Sequence, residues 1–178
     1  MLFSSLFAKT AEYKKLAHAL SAPGACALFG LPGSGRAMVY AALAKETGRF
    51  LCIVTPGEAE ATRFAGDLNA LGIPTAVFPA RDYVLRPIEG TAREYEYRRL
   101  SVLGDIVGGR LQAVCVPDEG LTQYTTPRAE FCNNTRTLHP GDTVPRTELT
   151  ALLYNAGYAR RAQVDGPGQF SIRGDIVD

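Results

Sequence analysis

Paired cysteines are missing from this sequence. Cys26, Cys52, Cys115 and Cys132 stand far apart and form no CxxC, so the spacing that holds zinc is absent and no metal site is expected. The first three lie in apolar runs, which predicts small reduced core residues of a cytoplasmic protein. A long apolar stretch is also lacking. The opening MLFSSLFAK is broken by Ser4 and Ser5, has no basic start and runs into AEYKK, so neither a signal peptide nor a membrane span is expected. The sequon at Asn133-Asn134-Thr135 then has no secretory route to give it meaning. An excess of one charge is absent too: 19 basic residues against 18 acidic leave a formal net charge of +1. No global field draws such a chain onto nucleic acid or an anionic membrane. Histidine is scarce, and His18 and His139 have no partner at catalytic or metal spacing.

What is present fits a soluble globular chain. Apolar residues make up 46% of 178, enough for one domain and part of a second. Tyr13, Leu16, Ala17 and Leu20 recur at helical spacing after Thr10. The run 25–29 predicts a strand leading into the glycine-rich stretch 30–37, GLPGSGRA, and residues 38–45 predict a helix closed by Gly48. Residues 50–54 predict a second strand, and Ala61, Phe64, Ala65, Leu68 and Leu71 a second such helix, stopped by Gly72. A strand at 75–78 follows. Thr91-Ala92-Arg93-Glu94 reads as a capping box, in which the threonine and glutamate side chains satisfy free amides of the first turn. Leu100, Leu103 and Val107 are expected to face inward from that helix, before a strand at 111–116.

Apolar strands alternating with helices predict an α/β fold: a doubly wound parallel sheet of P-loop, RecA-like type, followed by part of a smaller α/β domain. The expected organisation is an N-terminal helical segment over 1–22, the α/β domain over 23–122 and the start of a small domain over 123–178. Residues 124–146, rich in Thr, Asn, Pro and Arg, contain the boundary. Beyond it a helix is predicted over 147–155, stopped by Gly157, then a strand over 162–165 and a turn at Gly166-Pro167-Gly168. The closing QFSIRGDIVD alternates, with Phe170, Ile172 and Ile176 on one face and Ser171, Arg173 and Asp175 on the other. It stops in mid-pattern, as expected of a fragment cut inside its second domain.

The chemistry turns on residues 30–37. A working phosphate loop cradles phosphates with backbone amides, reaches the β and γ oxygens with a lysine, and ligates magnesium through the next hydroxyl. Gly30, Gly33 and Gly35 keep the glycine pattern, and the loop geometry is expected to be retained. Arg36 stands where the lysine belongs and Ala37 where the hydroxyl belongs. The guanidinium is no like-for-like replacement, and a methyl cannot ligate a metal. A structural relic is expected, with weak phosphate binding at the helix N-terminus as the alternative. Asp118 and Glu119 resemble a nucleotidase's magnesium acids, but Pro117 separates them from the strand, and a solvated turn is expected. In EYEYRRL and the residue before it, Arg93, Arg98 and Arg99 among tyrosines could suggest nucleic acid. Glu94 can pair with Arg98 four residues on, so a solvated helix face is expected.

GLPGSGRA, FPARDYVL, REYEYRRLSVLGDI and above all GYARRAQVDGPGQFSIRGDIVD together resemble the N-terminal, UvrB-like region of bacterial transcription-repair coupling factors. The final G-x-F-x-x-R-G-D-x-x-D is the most specific part. UvrB itself has an intact lysine and threonine in its loop and a long DNA-clamping hairpin. This sequence lacks the first two, and the path from Phe78 to Thr91 is too short for the third. The resemblance implies a non-catalytic module of a bacterial cytoplasmic protein. Its partner would be UvrA, which it would recruit to stalled transcription. The family's ATP- and magnesium-dependent DNA translocase motor and its RNA polymerase contact lie in downstream domains, so no cofactor is implied here. The arginine of the R-G motif, which contacts UvrA in this family, falls on Arg173. The competing reading is an enzyme, a P-loop nucleotidase or a UvrB-like repair protein with weak ATP binding.

Overall fold

A computed structural model of the chain describes residues 8–81 and 94–178. These fall into two compact units, Met1–Gln123 and Tyr124–Asp178. The residues of the capping box at 91–93, and the second half of FPARDYVL, lie outside the described residues.

The first unit is an α/β structure. Helix α1 (Ala11–Ala19) starts at Thr10, whose hydroxyl accepts a bond from the Tyr13 amide. Tyr13 and Leu16 bury its inner stripe against Val39, Ala42 and Leu43 of α2 (Gly33–Thr47). Gly48, in the left-handed region at φ 62, closes α2, a conformation that costs glycine no side-chain clash. Strand β1 (Leu51–Thr55), helix α3 (Glu58–Ala70), strand β2 (Thr75–Val77), helix α4 (Glu94–Val107) and strand β3 (Ala113–Pro117) follow, with the short helix α5 (Asp118–Thr122) after them.

The three strands form one parallel sheet in the order β1-β3-β2, Ile53 facing Cys115 on one side and Val77 facing it on the other. Every residue of central β3 is buried. Ala113 and Cys115 point into a core with Ala37, Ala41 and Ala44 of α2 and Phe64 and Leu68 of α3. Val114 and Val116 point the opposite way, onto Val102, Leu103 and Ile106 of α4. Helices cover both faces because the central strand is apolar on both. Among the described residues, no helix is long and apolar enough to cross a membrane.

Several expectations are corrected here. Residues 25–29 form no strand. They are exposed, Phe29 at 87%, so the described sheet has three strands and lacks the one expected before the glycine stretch. Strand β1 is an edge, and its apolar pattern is covered on one face only: Leu51 and Ile53 join the core while Cys52 and Val54 are exposed. Of the four cysteines only Cys115 is buried. Its thiol is pushed up to about 11 by burial and secondarily by Cys52. Helix α4 is turned by one position from expectation. Arg99, Val102, Leu103 and Ile106 face in, whereas Leu100 and Val107 are substantially exposed.

The second unit has helices α6 (Arg128–Asn133) and α7 (Arg146–Asn155) and two small two-stranded sheets. Strand β4 (Ala159–Arg160) pairs in parallel with β5 (Gln169–Phe170), and β6 (Ile172–Arg173) pairs antiparallel with β7 (Ile176–Val177). The strand expected over 162–165 lies instead at β4. The alternation expected through residues 169–178 is broken at Ser171, which sits between the two sheets. It is buried at 2% exposure, and its hydroxyl donates to the Ala162 carbonyl. Ile176, expected inside, is 62% exposed.

Candidate functional site

The glycine stretch takes a form that its sequence did not anticipate. Helix α2 begins at Gly33, with Pro32 as N-cap and no side-chain cap. The Arg36 amide already donates to the Pro32 carbonyl at 3.1 Å, so the turn that would wrap a phosphate is wound into helix. The expected open cradle between strand and helix is therefore not formed. Glycine at 35 has a packing reason: a Cβ there would meet the Pro32 ring at 3.2 Å.

The two departures from a phosphate loop are both built into the packing. Ala37 is fully buried in the core shared with Phe64 and Cys115. A hydroxyl there would be desolvated among apolar groups. Arg36 folds onto α3: its Nη2 lies 3.4 Å from Glu60 Oε1, and its guanidinium stands 5.4 Å from the centroid of the Phe64 ring. Arg63 approaches the same Glu60 oxygen at 3.5 Å, and its Nη1 lies 3.2 Å from where a Cβ at Gly33 would be. Glu60 thus shares its charge between two arginines at the start of α2. Among the described residues, the buried Arg36 Nε has no hydrogen-bond partner.

Asp118 and Glu119 form the first turn of α5 and are exposed, Asp118 Oδ1 accepting from the Glu119 amide. Pro117 ends β3 just before them, as the sequence indicates. The arginines of EYEYRRL behave differently from expectation. Arg98 approaches Glu58, not Glu94, at 4.0 Å and stands over Tyr95. Arg99 is no solvated residue. It is 9% exposed, lies 4.0 Å above the Phe78 ring and donates to the Pro79 carbonyl at 2.7 Å. Its Nη1 also reaches Gln123 Oε1 at 3.3 Å. Arg99 therefore ties the segment after β2 to the segment after β3, and no periodicity marks an arginine for that role. Arg93 lies outside the described residues. His18 and His139 are exposed.

Arg173 occupies the end of β6, at a two-residue hairpin loop of Gly174 and Asp175. Gly174 has φ 62 and Asp175 a negative φ, the pattern in which glycine is favoured at the first loop position. Arg173 is exposed, as alternation predicts, with 69% of its side chain accessible. Its surface partner is not Asp175 but Asp178, Nη2 to Oδ2 at 2.6 Å. The backbone of Asp178 is fixed in turn by a reciprocal pair of bonds with Ser171. The Gly174 carbonyl accepts from Arg146 at the start of α7, and Tyr154 of α7 packs edge-on against Phe170, centroids 5.2 Å apart. The hairpin that carries Arg173 is thereby anchored to α7.

Residues 137–178, which include this hairpin, match the model of the family described as UvrB interaction domain. Over 153 residues, 85% of this chain, the sequence is 28% identical to the transcription-repair-coupling factor of Bacillus subtilis. It is 24% identical over 151 residues to that of Staphylococcus aureus. The chain spans about 13% of the length of each of these relatives. Similarity extends to UvrABC system protein B of Chlorobium limicola, 25% identical over 166 residues and 24% of that protein's length. The resemblance drawn from the sequence is borne out: residues 137–178 carry the likeness to a UvrB interaction domain, within a chain similar over most of its length to transcription-repair-coupling factors.

Proposed function

We propose that this chain is a catalytically silent, UvrB-like docking module that binds UvrA for nucleotide excision repair. The observation that carries the reading is the UvrB interaction domain match over residues 137–178, with Arg173 on an exposed and anchored hairpin inside it. Recruitment of UvrA to stalled RNA polymerase is the setting that similarity to coupling factors suggests.

Arg173 suits the role physically. A guanidinium has five N–H donors in a planar fork. The bond to Asp178 orients the fork without exhausting it, so a second carboxylate can be received by a pre-positioned group. Charge-assisted contacts of this kind are among the strong ones once partly desolvated. The silent part of the reading rests on Ala37 in the core and Arg36 held by Glu60 and Phe64. With a methyl at the magnesium-ligating position and the neighbouring cation engaged by Glu60 and Phe64, the start of α2 serves packing.

Calorimetric titration of purified UvrA into the full chain tests the proposal. The expected result is saturable binding that weakens as salt rises, since a charged contact is screened. Absence of binding at low salt overturns it.

A further inference from the structure

The formal net charge of +1 conceals a separation of charge along the chain. Residues 1–49 hold six basic residues, including all four lysines, against two acidic ones, Glu12 and Glu46, a net charge of +4. The remaining 129 residues hold 13 basic against 16 acidic, a net charge of −3. Such an asymmetry makes a local field that a whole-chain sum does not show.

Packing of α1 on α2 gathers part of this charge in one place. Tyr13 and Leu16 take up the buried stripe of α1, which leaves Lys14, Lys15 and His18 exposed. Arg49, two residues after α2, closes on the C-terminal end of α1, its Nη1 donating to the Leu20 carbonyl at 2.8 Å. A carbonyl partner holds the guanidinium in place and leaves its formal charge uncompensated. Among the described residues, no carboxylate lies within ion-pair distance of Lys14, Lys15, His18 or Arg49, whereas seven other arginines each have one. Of the two acids in this stretch, Glu46 accepts the Tyr13 hydroxyl at 2.8 Å, and Glu12 is the one carboxylate on α1 itself.

The character of the patch selects its occupant. Lysine ammonium groups on flexible stems suit phosphate oxygens as point charges. Helix α1 has nine residues and so extends over roughly 13 Å, while each strand of a DNA duplex presents a phosphate about every 3.4 Å of axis. Several phosphates therefore come within reach of one helix face. Its exposed residues, Ala11, Glu12, Lys14, Lys15, His18 and Ala19, include no Phe, Tyr or Trp, so the rings on which the bases of a single strand stack are missing. A duplex, with its bases stacked inside and its phosphates outside, fits such a surface.

We propose that the exposed side of α1, with Lys14, Lys15, His18 and Arg49, is a sequence-independent contact for the phosphate backbone of duplex DNA. The contact lies on the first unit and is independent of the UvrA reading, which concerns the second. It gives the chain a weak electrostatic hold on DNA without any base recognition.

The test is fluorescence anisotropy of a short labelled duplex titrated with the full chain at low salt. Saturable binding is expected, with log affinity falling against log salt at a slope of about 2 to 4, or about 0.9 per phosphate contacted. A Lys14→Glu, Lys15→Glu double variant should bind tenfold or more weakly and with a shallower slope. An Arg128→Glu, Arg160→Glu double variant, which changes the net charge equally but on the second unit, should stay within about twofold of the parent. Folding of each variant is verified by circular dichroism, and a Lys14→Gln, Lys15→Gln variant carries the test if the charge reversal does not fold. No binding by the parent, or equal binding by the folded α1 variants, overturns the assignment. Equal weakening by the second-unit variant overturns it too, since net charge and not this patch would then hold the duplex. Polyglutamate that binds the parent as tightly as the duplex does, and the α1 variant less tightly, would overturn it in favour of an acidic protein surface.

Discussion

Arg36 and Glu60 lie side by side between α2 and α3, Nη2 to Oε1 at 3.4 Å, with the same guanidinium 5.4 Å from the centroid of the Phe64 ring. The cation that replaces a phosphate loop's lysine is thus engaged with a helix, and Ala37 beside it is fully buried.

Restoring the textual motif should therefore not restore nucleotide binding. No magnesium-dependent heat is expected on titrating ATP into the parent chain or into an Arg36→Lys, Ala37→Thr double variant. Ala37→Thr alone should lower stability by about 1–3 kcal/mol, because it adds volume and an uncompensated hydroxyl to a packed core. Urea denaturation measures the loss.

Arg99 is expected to matter for stability, although it stands in a helix that reads as solvated. Arg99→Met keeps much of the aliphatic bulk but removes the bond to the Pro79 carbonyl and the contact with Phe78. A charged hydrogen bond and a cation–π contact together suggest a loss of about 2–4 kcal/mol. Equal denaturation midpoints for parent and variant would show that Arg99 does not hold the segments after β2 and β3.

Tyr13 gives the first unit a defined alkaline weakness. Burial, then the hydrogen bond its hydroxyl donates to Glu46 at 2.8 Å, and then the Glu46 charge raise the phenol's pKa above the usual tyrosine range. A folded-state pKa above the unfolded value gives stability that is complete below about pH 10, the unfolded phenol's pKa. That stability declines as pH rises above it, because the unfolded chain releases the proton first. Tyr13→Phe should cost about 1 kcal/mol at pH 7, and its stability should fall less steeply than the parent's above pH 10. Parallel pH profiles for the two proteins would contradict this.

Elements whose signal is local were legible in the sequence. The stripe Ala61, Phe64, Ala65 and Leu68 of α3 and the run of β3 are buried as their periodicity and apolarity require. Residues 25–29 have the same composition as those strands, but a strand also needs a neighbour to satisfy its backbone, and composition does not name one. The turn of α4 differs from expectation because Arg99 counts as polar in a periodicity pattern. The spacing 99, 102, 103 and 106 is an equally good helical stripe once an arginine is allowed to face inward. At the sites, exposure of Arg173 followed from alternation. Its bond to Asp178 and the Glu60 partner of Arg36 depend on side-chain placement and chain crossings that no spacing rule encodes.

Docking of UvrA on the Arg173 hairpin, as proposed above, is open to a direct measurement. The most direct test is the dissociation constant of UvrA for Arg173→Ala compared with the parent chain at low salt. Loss of a partly desolvated charged contact predicts weakening that corresponds to about 2 kcal/mol or more. An unchanged constant in a variant that remains folded would contradict the claim.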